Sequence, residues 1–503
     1  MTMEPQADAV PSPAISSRSL GGRVAKGAAL LTGANMIARG IGLINTLILS
    51  RLLIPEDFGL IAIGMTVMQL LQNFSDIGVS QAVVKYRDAD RRFLDTLFTL
   101  SILRGALVGG LLMAGAPLAA TFYGDDRILF VFCAFGGLAF INALINPQFY
   151  EFERNLDFRR EVLVSLSVKL AAVLISVLIA LIYKSYWALI CGYGAGVLLE
   201  VVLSHLLIRE GRRRLDLSAM KELLGFTGWL TATSAVVAAN NKLEPLILGR
   251  IIGFGGTGHY YLGEQFAFLP AYELATPIAR ALYPGFSSVQ SDKKEARRVF
   301  LRGVEALAAI SLPASVGLAF LAHDFVMTVL GAKWAPVIPV LQILAPAFGF
   351  TTIYWATEGL ALALGRVKLV FWRALIYFII RTPLFIAAAI SFGLTGAVVA
   401  AALASVIYVG LQGQLYSHVT GDHPLRPLMS ARRSLGAVGG MSLWFLWGQP
   451  VFSGAPVLID LVLGTLIGGL IYTGCHFGLW VLSGRSNGIE RVILNFGRRV
   501  VQR

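Results

Sequence analysis

An arginine inside an apolar helix needs a reason. Gly33–Ser50 reads GANMIARGIGLINTLILS, and Arg39 sits in the middle of it. A charge at mid-bilayer costs about 2.5–3.5 kcal/mol even on lenient insertion scales, so it faces a cavity or a partner. Thr32, Asn35, Arg39, Gly42 and Thr46 fall at i, i+3, i+7, i+10 and i+14 and share one helical face. A polar stripe holding a guanidinium fits the wall of a wet chamber better than a packed seam. The chemistry it offers is anion capture, because the guanidinium fork matches phosphate or carboxylate oxygens in pairs. Other apolar runs carry similar groups. Gln69, Gln72, Asn73 and Asp76 repeat the helical spacing, and Asn240, Asn241, Lys242 and Glu244 precede Pro245. Glu264, Glu273 and Arg280 follow in one run, and Glu358 lies one turn after Tyr354. Arg104 and Lys169 lie where a long side chain can snorkel to the interface. Lys242 and Glu244 can simply neutralise one another. Arg381, near Pro383, can serve function or bind freed carbonyls.

No enzyme constellation accompanies these charges. The six histidines are scattered, with no HExxH, and no GxxxxGK[ST] phosphate loop is present. Cys133, Cys191 and Cys475 sit in apolar runs and read as small buried hydrophobes, with neither a disulfide framework nor a metal spacing. The expectation is a non-enzyme without cofactor or metal, its chemistry confined to binding and ion coupling. Glu264, Glu273 and Glu358 are the candidates for a coupling proton or sodium ion.

Composition says what positions these residues. The chain has 503 residues, 56% hydrophobic and only 14% charged, too little charge to cover a soluble surface. Apolar runs of about 20 residues recur throughout, the length that crosses the hydrocarbon layer. Fourteen spans are expected, the first at about 27–49 and the last at about 456–483. Of the 42 Lys and Arg, 31 fall on the side of the termini, 5 on the other and 6 within spans. That asymmetry places both termini in the cytoplasm. It also absorbs the net charge of +13 without any nucleic-acid partner, since Arg212–Arg214 and Lys293–Arg298 become anchors on anionic lipid.

The elements repeat. LILSRLLIPEDFGLIAIG (Leu47–Gly64) and LILGRIIGFGGTGHYYLG (Leu246–Gly263) align at an offset of 199, matching Arg51 with Arg250, Gly59 with Gly258 and Gly64 with Gly263. Both close an odd span on the low-charge side, so spans 1–6 and 7–12 form two parallel copies, as in transporters that flank a central site. Pro55, Glu56 and Asp57 are explained as the start of span 2. The expected fold is all-α: fourteen transmembrane helices, with two six-helix lobes related by a pseudo-two-fold plus two C-terminal helices. The boundaries are a disordered tail at 1–22, lobes at 23–215 and 216–420, spans 13 and 14 within 421–484, and an amphipathic helix at 485–503. That last stretch puts Ile489, Val492, Ile493, Phe496 and Val500 on one face.

RLLIPEDFG, SDIGVSQAVV (Ser75–Val84), NLDFRR (Asn155–Arg160), ALYPGFSSVQSD (Ala281–Asp292) and GAKWAPVIPVLQIL (Gly331–Leu344) together resemble bacterial polysaccharide transporters. These are the O-antigen and exopolysaccharide flippases of the multidrug/oligosaccharidyl-lipid/polysaccharide exporter superfamily. The resemblance covers about residues 23–420. It implies movement of an undecaprenyl-diphosphate-linked oligosaccharide to the outer leaflet of the bacterial inner membrane. By similarity to the peptidoglycan-precursor flippase, Arg39 would hold the diphosphate, with Arg51 and Arg250 as weaker candidates nearer the outer mouth. Asn35, Asp76, Lys242, Arg280 and Glu358 complete the candidate substrate set. The two extra spans would shape a groove for the lipid tail.

Outward movement of two negative charges is favourable by about 4–5 kcal/mol at 100 mV, so export of an anionic head needs no ATP. The partners implied are the lipid-linked oligosaccharide, membrane lipids, and a polysaccharide polymerase and glycosyltransferases. Two rival readings stand: a cation-coupled multidrug exporter of the same superfamily, and a non-transporting scaffold of a synthase complex.

Overall fold

The computed structural model describes residues 17–75, 91–154, 158–208, 214–217, 236–240, 242–288, 293–448, 457–484 and 490. Every regular element among them is helical. In chain order they are α1 (Ser17–Leu52), α2 (Pro55–Phe74), α3 (Arg91–Tyr123), α4 (Arg127–Asn142), α5 (Phe158–Tyr183) and α6 (Trp187–Leu206). The second copy holds α7 (Glu244–Ile251), α8 (Gly253–Ser288), α9 (Lys293–Phe320), α10 (Val337–Thr351), α11 (Ala356–Ala363) and α12 (Val367–Thr420). Two further helices, α13 (Arg432–Trp447) and α14 (Val457–Leu482), complete the chain.

Among the described residues, seven helices are long and apolar enough to cross a membrane, taking α10 and α11 as one. The longest, α12, has 54 residues and folds back at Gly393 (φ 58°), so it supplies two spans. Lys184 (φ 47°) makes the equivalent turn between α5 and α6. Of the remaining helices, α1, α2 and α8 are long enough but too polar, and they are the ones that face the middle of the molecule. The first part of span 7 and the amphipathic stretch 485–503, Glu490 apart, lie outside the described residues. One boundary differs from expectation. α1 begins at Ser17, inside the stretch read as a disordered tail to residue 22. Pro13 is the last proline before it, and nothing from Ser17 to Gly22 lacks a backbone N–H to carry the helix outward.

The acids of PEDFG start α2 as the sequence suggests. Pro55 occupies the first turn, and Asp57 Oδ2 accepts from the Ile54 amide at 3.2 Å. The other carboxylate oxygen, Oδ1, accepts from the Tyr186 amide at 3.1 Å and ties the α1–α2 turn to the α5–α6 turn.

The repeat glycines explain how the lobes meet. A Cβ on Gly59 would lie 1.9 Å from the Phe254 carbonyl oxygen, and a Cβ on Gly258 would lie 1.9 Å from the Pro55 carbonyl oxygen. Pro55 and Phe254 are themselves 199 residues apart. So α2 and α8 cross backbone to backbone, each glycine against the carbonyl one turn before the other. The next pair does parallel work inside each lobe: Gly64 packs on Val131 and Phe135 of α4, and Gly263 on Val337 and Val340 of α10. Around the crossing a core runs through both lobes, with Leu49, Leu53 and Phe58 packed beside Trp334, Leu341 and Phe385.

Gly59→Ala and Gly258→Ala should each cost at least about 1–3 kcal/mol, because the facing atom is backbone and cannot rotate away. Gly110→Ala, with no heavy atom within 4 Å of its Cβ, should be neutral or stabilising by up to about 1 kcal/mol. Thermal unfolding in detergent compares them, and indistinguishable melting of all three would contradict the crossing.

Candidate functional site

Arg39 lies on α1 and crosses the lobe seam to ion-pair with Glu273 on α8. Its guanidinium carbon also sits 5.4 Å from the centre of the Tyr272 ring. Tyr272 in turn stacks on Phe268 at 5.0 Å and touches Trp355 at 5.1 Å, which makes an aromatic shelf beside the pair. The pair is not sealed: the two side chains keep 35% and 32% of their exposure. Asn35, one turn away, is exposed. On the other flank of α1, a Cβ on Gly42 would meet Lys169 Nζ of α5 at 3.1 Å. One turn further, Ser176 donates to Asn45 Oδ1 at 2.8 Å. The polar stripe of α1 therefore divides: Arg39 turns to α8, and the later positions turn to α5.

An apolar cavity of about 610 Å³ lies one helical turn from this pair. Leu43, one turn after Arg39, and Leu269, one turn before Glu273, line its start. Pro313 and Gly317 of α9 form one wall, and Gly464 and Tyr472 of α14 form another. A charged, half-open pair one turn from an apolar cavity suits an amphiphile with an anionic head.

The other candidates divide by what they already hold. Arg51 donates through Nε to the Val329 carbonyl at 2.8 Å and through its terminal nitrogen to the Thr328 carbonyl. Lys333 returns the contact, donating to the Arg51 and Leu53 carbonyls at 2.8 and 2.6 Å. Burial, with Arg51 alongside, holds the Lys333 ammonium below its ordinary range. Two cations thus cap each other's helix ends and close the low-charge end on that side. Arg381 ion-pairs with Glu244, donates to the Asn240 carbonyl where span 7 breaks, and lies 5.7 Å from the Tyr377 ring. Glu244 is therefore neutralised by Arg381, while Lys242 is exposed. Arg104 reaches the Gln72 carbonyl at 3.2 Å, near the end of α2, where a cation suits the helix C-terminus. Glu358 accepts from Gln412 Nε2 at 2.6 Å. Arg250 is exposed, 5.6 Å from the Phe122 ring. Asp76 lies outside the described residues, and Arg280 is on α8 with its side chain likewise outside them.

Of the candidate site residues, the structure thus brings together Arg39, Glu273 and Asn35. The aromatic shelf and Lys169 were missing from the candidate set. The i, i+7 spacing of Lys169 and Ser176 carried the signal, since it puts both on one face of span 5.

A family model of polysaccharide biosynthesis proteins matches residues 48–339. The chain belongs to this family. The lipopolysaccharide biosynthesis protein WzxC of Escherichia coli (strain K12) is 27% identical over 342 residues, 67% of this chain and 69% of that protein. The succinoglycan biosynthesis transport protein ExoT of Rhizobium meliloti (strain 1021) is 22% identical over 439 residues, 86% and 88%. Among solved structures, the lipid II flippase MurJ in an inward closed conformation superimposes with a TM-score of 0.71 at 16% identity, covering 90% of this chain and 98% of that one. An inward-facing multidrug resistance MATE family transporter gives 0.58 at 13% identity, covering 76% and 95%. At these identities the likeness is one of fold, and it agrees with two lobes plus two helices. The family member described here places its half-open arginine pair on the seam between those lobes.

Arg381→Ala should destabilise the protein by about 3–5 kcal/mol, because it leaves Glu244, 3% exposed, unpaired. Arg39→Ala should cost about 1 kcal/mol or less, since its pair is solvated. Unfolding in detergent distinguishes them, and equal losses would contradict the division between structural and available arginines.

Proposed function

We propose that the chain carries a lipid-linked oligosaccharide, with an undecaprenyl-diphosphate anchor, from the inner to the outer leaflet of the bacterial cytoplasmic membrane. Both termini face the cytoplasm, on the charge asymmetry of the loops. The observation that carries this reading is the Arg39–Glu273 pair set one turn from the apolar groove. Arg39 takes the diphosphate, the groove takes the polyprenyl tail, and the shelf of Tyr272 and Trp355 faces the first sugars. The names of the relatives point the same way, to lipopolysaccharide biosynthesis and to succinoglycan transport. A polymerase and glycosyltransferases are the partners this role calls for.

Alternating access follows from two lobes, 23–215 and 216–420, that touch at the low-charge end. The α2–α8 crossing and the Arg51–Lys333 exchange of caps close that end. Opening it, with closure at the basic end, would expose the same pair to the other leaflet. A cation-coupled drug exporter needs an acid available to a cationic substrate, whereas Glu273 is held by Arg39. Of the coupling candidates, Glu358 is supported by having amide and hydroxyl partners, Gln412 and Tyr408, and no basic one among the described residues.

In proteoliposomes loaded with a fluorescent polyprenyl-diphosphate oligosaccharide, Arg39→Ala should lower translocation at least about tenfold, the value of one charged hydrogen bond. Gly317→Trp, which fills the groove from a position with no atom within 4 Å of its Cβ, should do the same without touching the charge. Wild-type translocation by both variants would overturn the assignment of head and tail.

A further inference from the structure

The internal repeat produces two grooves, and the second has no assigned occupant. Leu47 and Phe266 line the groove one turn from the Arg39–Glu273 pair. Their mates at the offset of 199 are Leu246 and Val67, and both line another cavity, also of about 610 Å³. It lies between α2, α3, α4 and α7, with Leu118, Phe122 and Phe132 among its walls. The first groove is walled by α14. No repeat mate of α13 or α14 covers the second, and Leu118 and Phe122 are 73% and 57% exposed.

Arg250 stands at its rim, with its guanidinium carbon 5.6 Å from the ring of Phe122. Its repeat mate, Arg51, spends its donors on the Thr328 and Val329 carbonyls. Among the described residues Arg250 has no hydrogen-bond or ion-pair partner, so its N–H groups remain available. An arginine held over an aromatic face and facing outward is a receptor for phosphate oxygens. In a bilayer the apolar groove below it must be filled by hydrocarbon, because an unfilled groove forfeits the dispersion contacts of its whole lining.

We propose that this second groove binds one acyl chain of an anionic phospholipid, with the lipid phosphate held by Arg250. The occupant comes from the bilayer and not from the Arg39 chamber. Tyr123 donates to the Leu246 carbonyl at 3.0 Å, and these two lining residues tie α3 to α7 across the seam. On the positive-inside reading the lipid belongs to the outer leaflet. It wedges between the lobes on the side opposite the Arg51–Lys333 caps, where the Tyr123 hydroxyl bond, two cation–π contacts (Arg250–Phe122 and Arg127–Phe254) and the Tyr123–Phe254 ring pair join them. Occupancy of this site is independent of what the chain transports.

Native mass spectrometry of the full chain in detergent tests this, with phosphatidylglycerol or phosphatidylcholine of equal chain length added. The wild type should retain one more phosphatidylglycerol than Arg250→Ala, with an affinity about tenfold higher, the effect of one charged hydrogen bond. Ala119→Trp, which fills the groove and leaves Arg250 in place, should lose the same lipid. Arg51→Ala should keep it. Equal retention by wild type and Arg250→Ala would overturn the proposal. So would equal retention of phosphatidylcholine, or displacement of the lipid by equimolar polyprenyl diphosphate, which would make the groove part of the substrate's own route.

Discussion

Everything in this molecule hangs on two helix backbones touching. At Gly59 and Gly258 there is no side chain between α2 and α8, and each glycine lies against the carbonyl one turn before the other. Arg39 lies twelve residues before Arg51, roughly 18 Å from the crossing end, and Glu273 lies fifteen after Gly258, roughly 22 Å from it. At that depth the gap between the lobes is wide enough for an arginine and a glutamate to bridge it. The crossing therefore holds the closed end, and a Cβ at either glycine would pry it open.

The arginines show how one residue type serves two purposes. Arg51, Arg104 and Arg381 are bound to backbone carbonyls or a buried carboxylate, and they hold helix ends and a broken helix in place. Arg39 and Arg250 are only partly engaged. Arg39 has one carboxylate and one ring, and Arg250 has one ring. A cation with donors to spare in a membrane protein is a binding element, because water and counter-ions are scarce and the remaining N–H groups must meet something anionic.

The repeat and the spans were legible because they depend on local properties: hydropathy over about twenty residues and a 199-residue offset. The start of α2 was legible for the same reason, since Asp57 caps its own helix. The partners of the arginines were not. Glu273 is 234 residues from Arg39, and Asn240 is 141 from Arg381. Nothing in the neighbourhood of Glu244 indicated that its counter-ion would come from span 11. Lys169 was equally opaque alone, since a single lysine in an apolar span reads the same whether it snorkels to lipid headgroups or meets Gly42. The long-range pairing of charges is set by which helices the glycines allow to approach, and that is a property of the assembled bundle.

The pairing of Arg39 with its own acid matters for energetics as well as for recognition. Empty, the site carries one positive and one negative charge, so reorienting it moves no net charge through the membrane field. On the proposed assignment, a diphosphate bound there would add about two negative charges, and outward movement would gain about 4–5 kcal/mol at 100 mV. A bare arginine would have behaved differently. If it moved with the empty site toward the negative inside it would gain from the field on return, but it would cancel about half of the drive when loaded. The carboxylate of Glu273 removes that opposition and stabilises the guanidinium between cycles. A doubly charged head outcompetes a singly charged carboxylate for the same fork. The same two groups that make the resting site neutral thus leave the loaded one anionic, which is the condition for a one-way carrier without ATP.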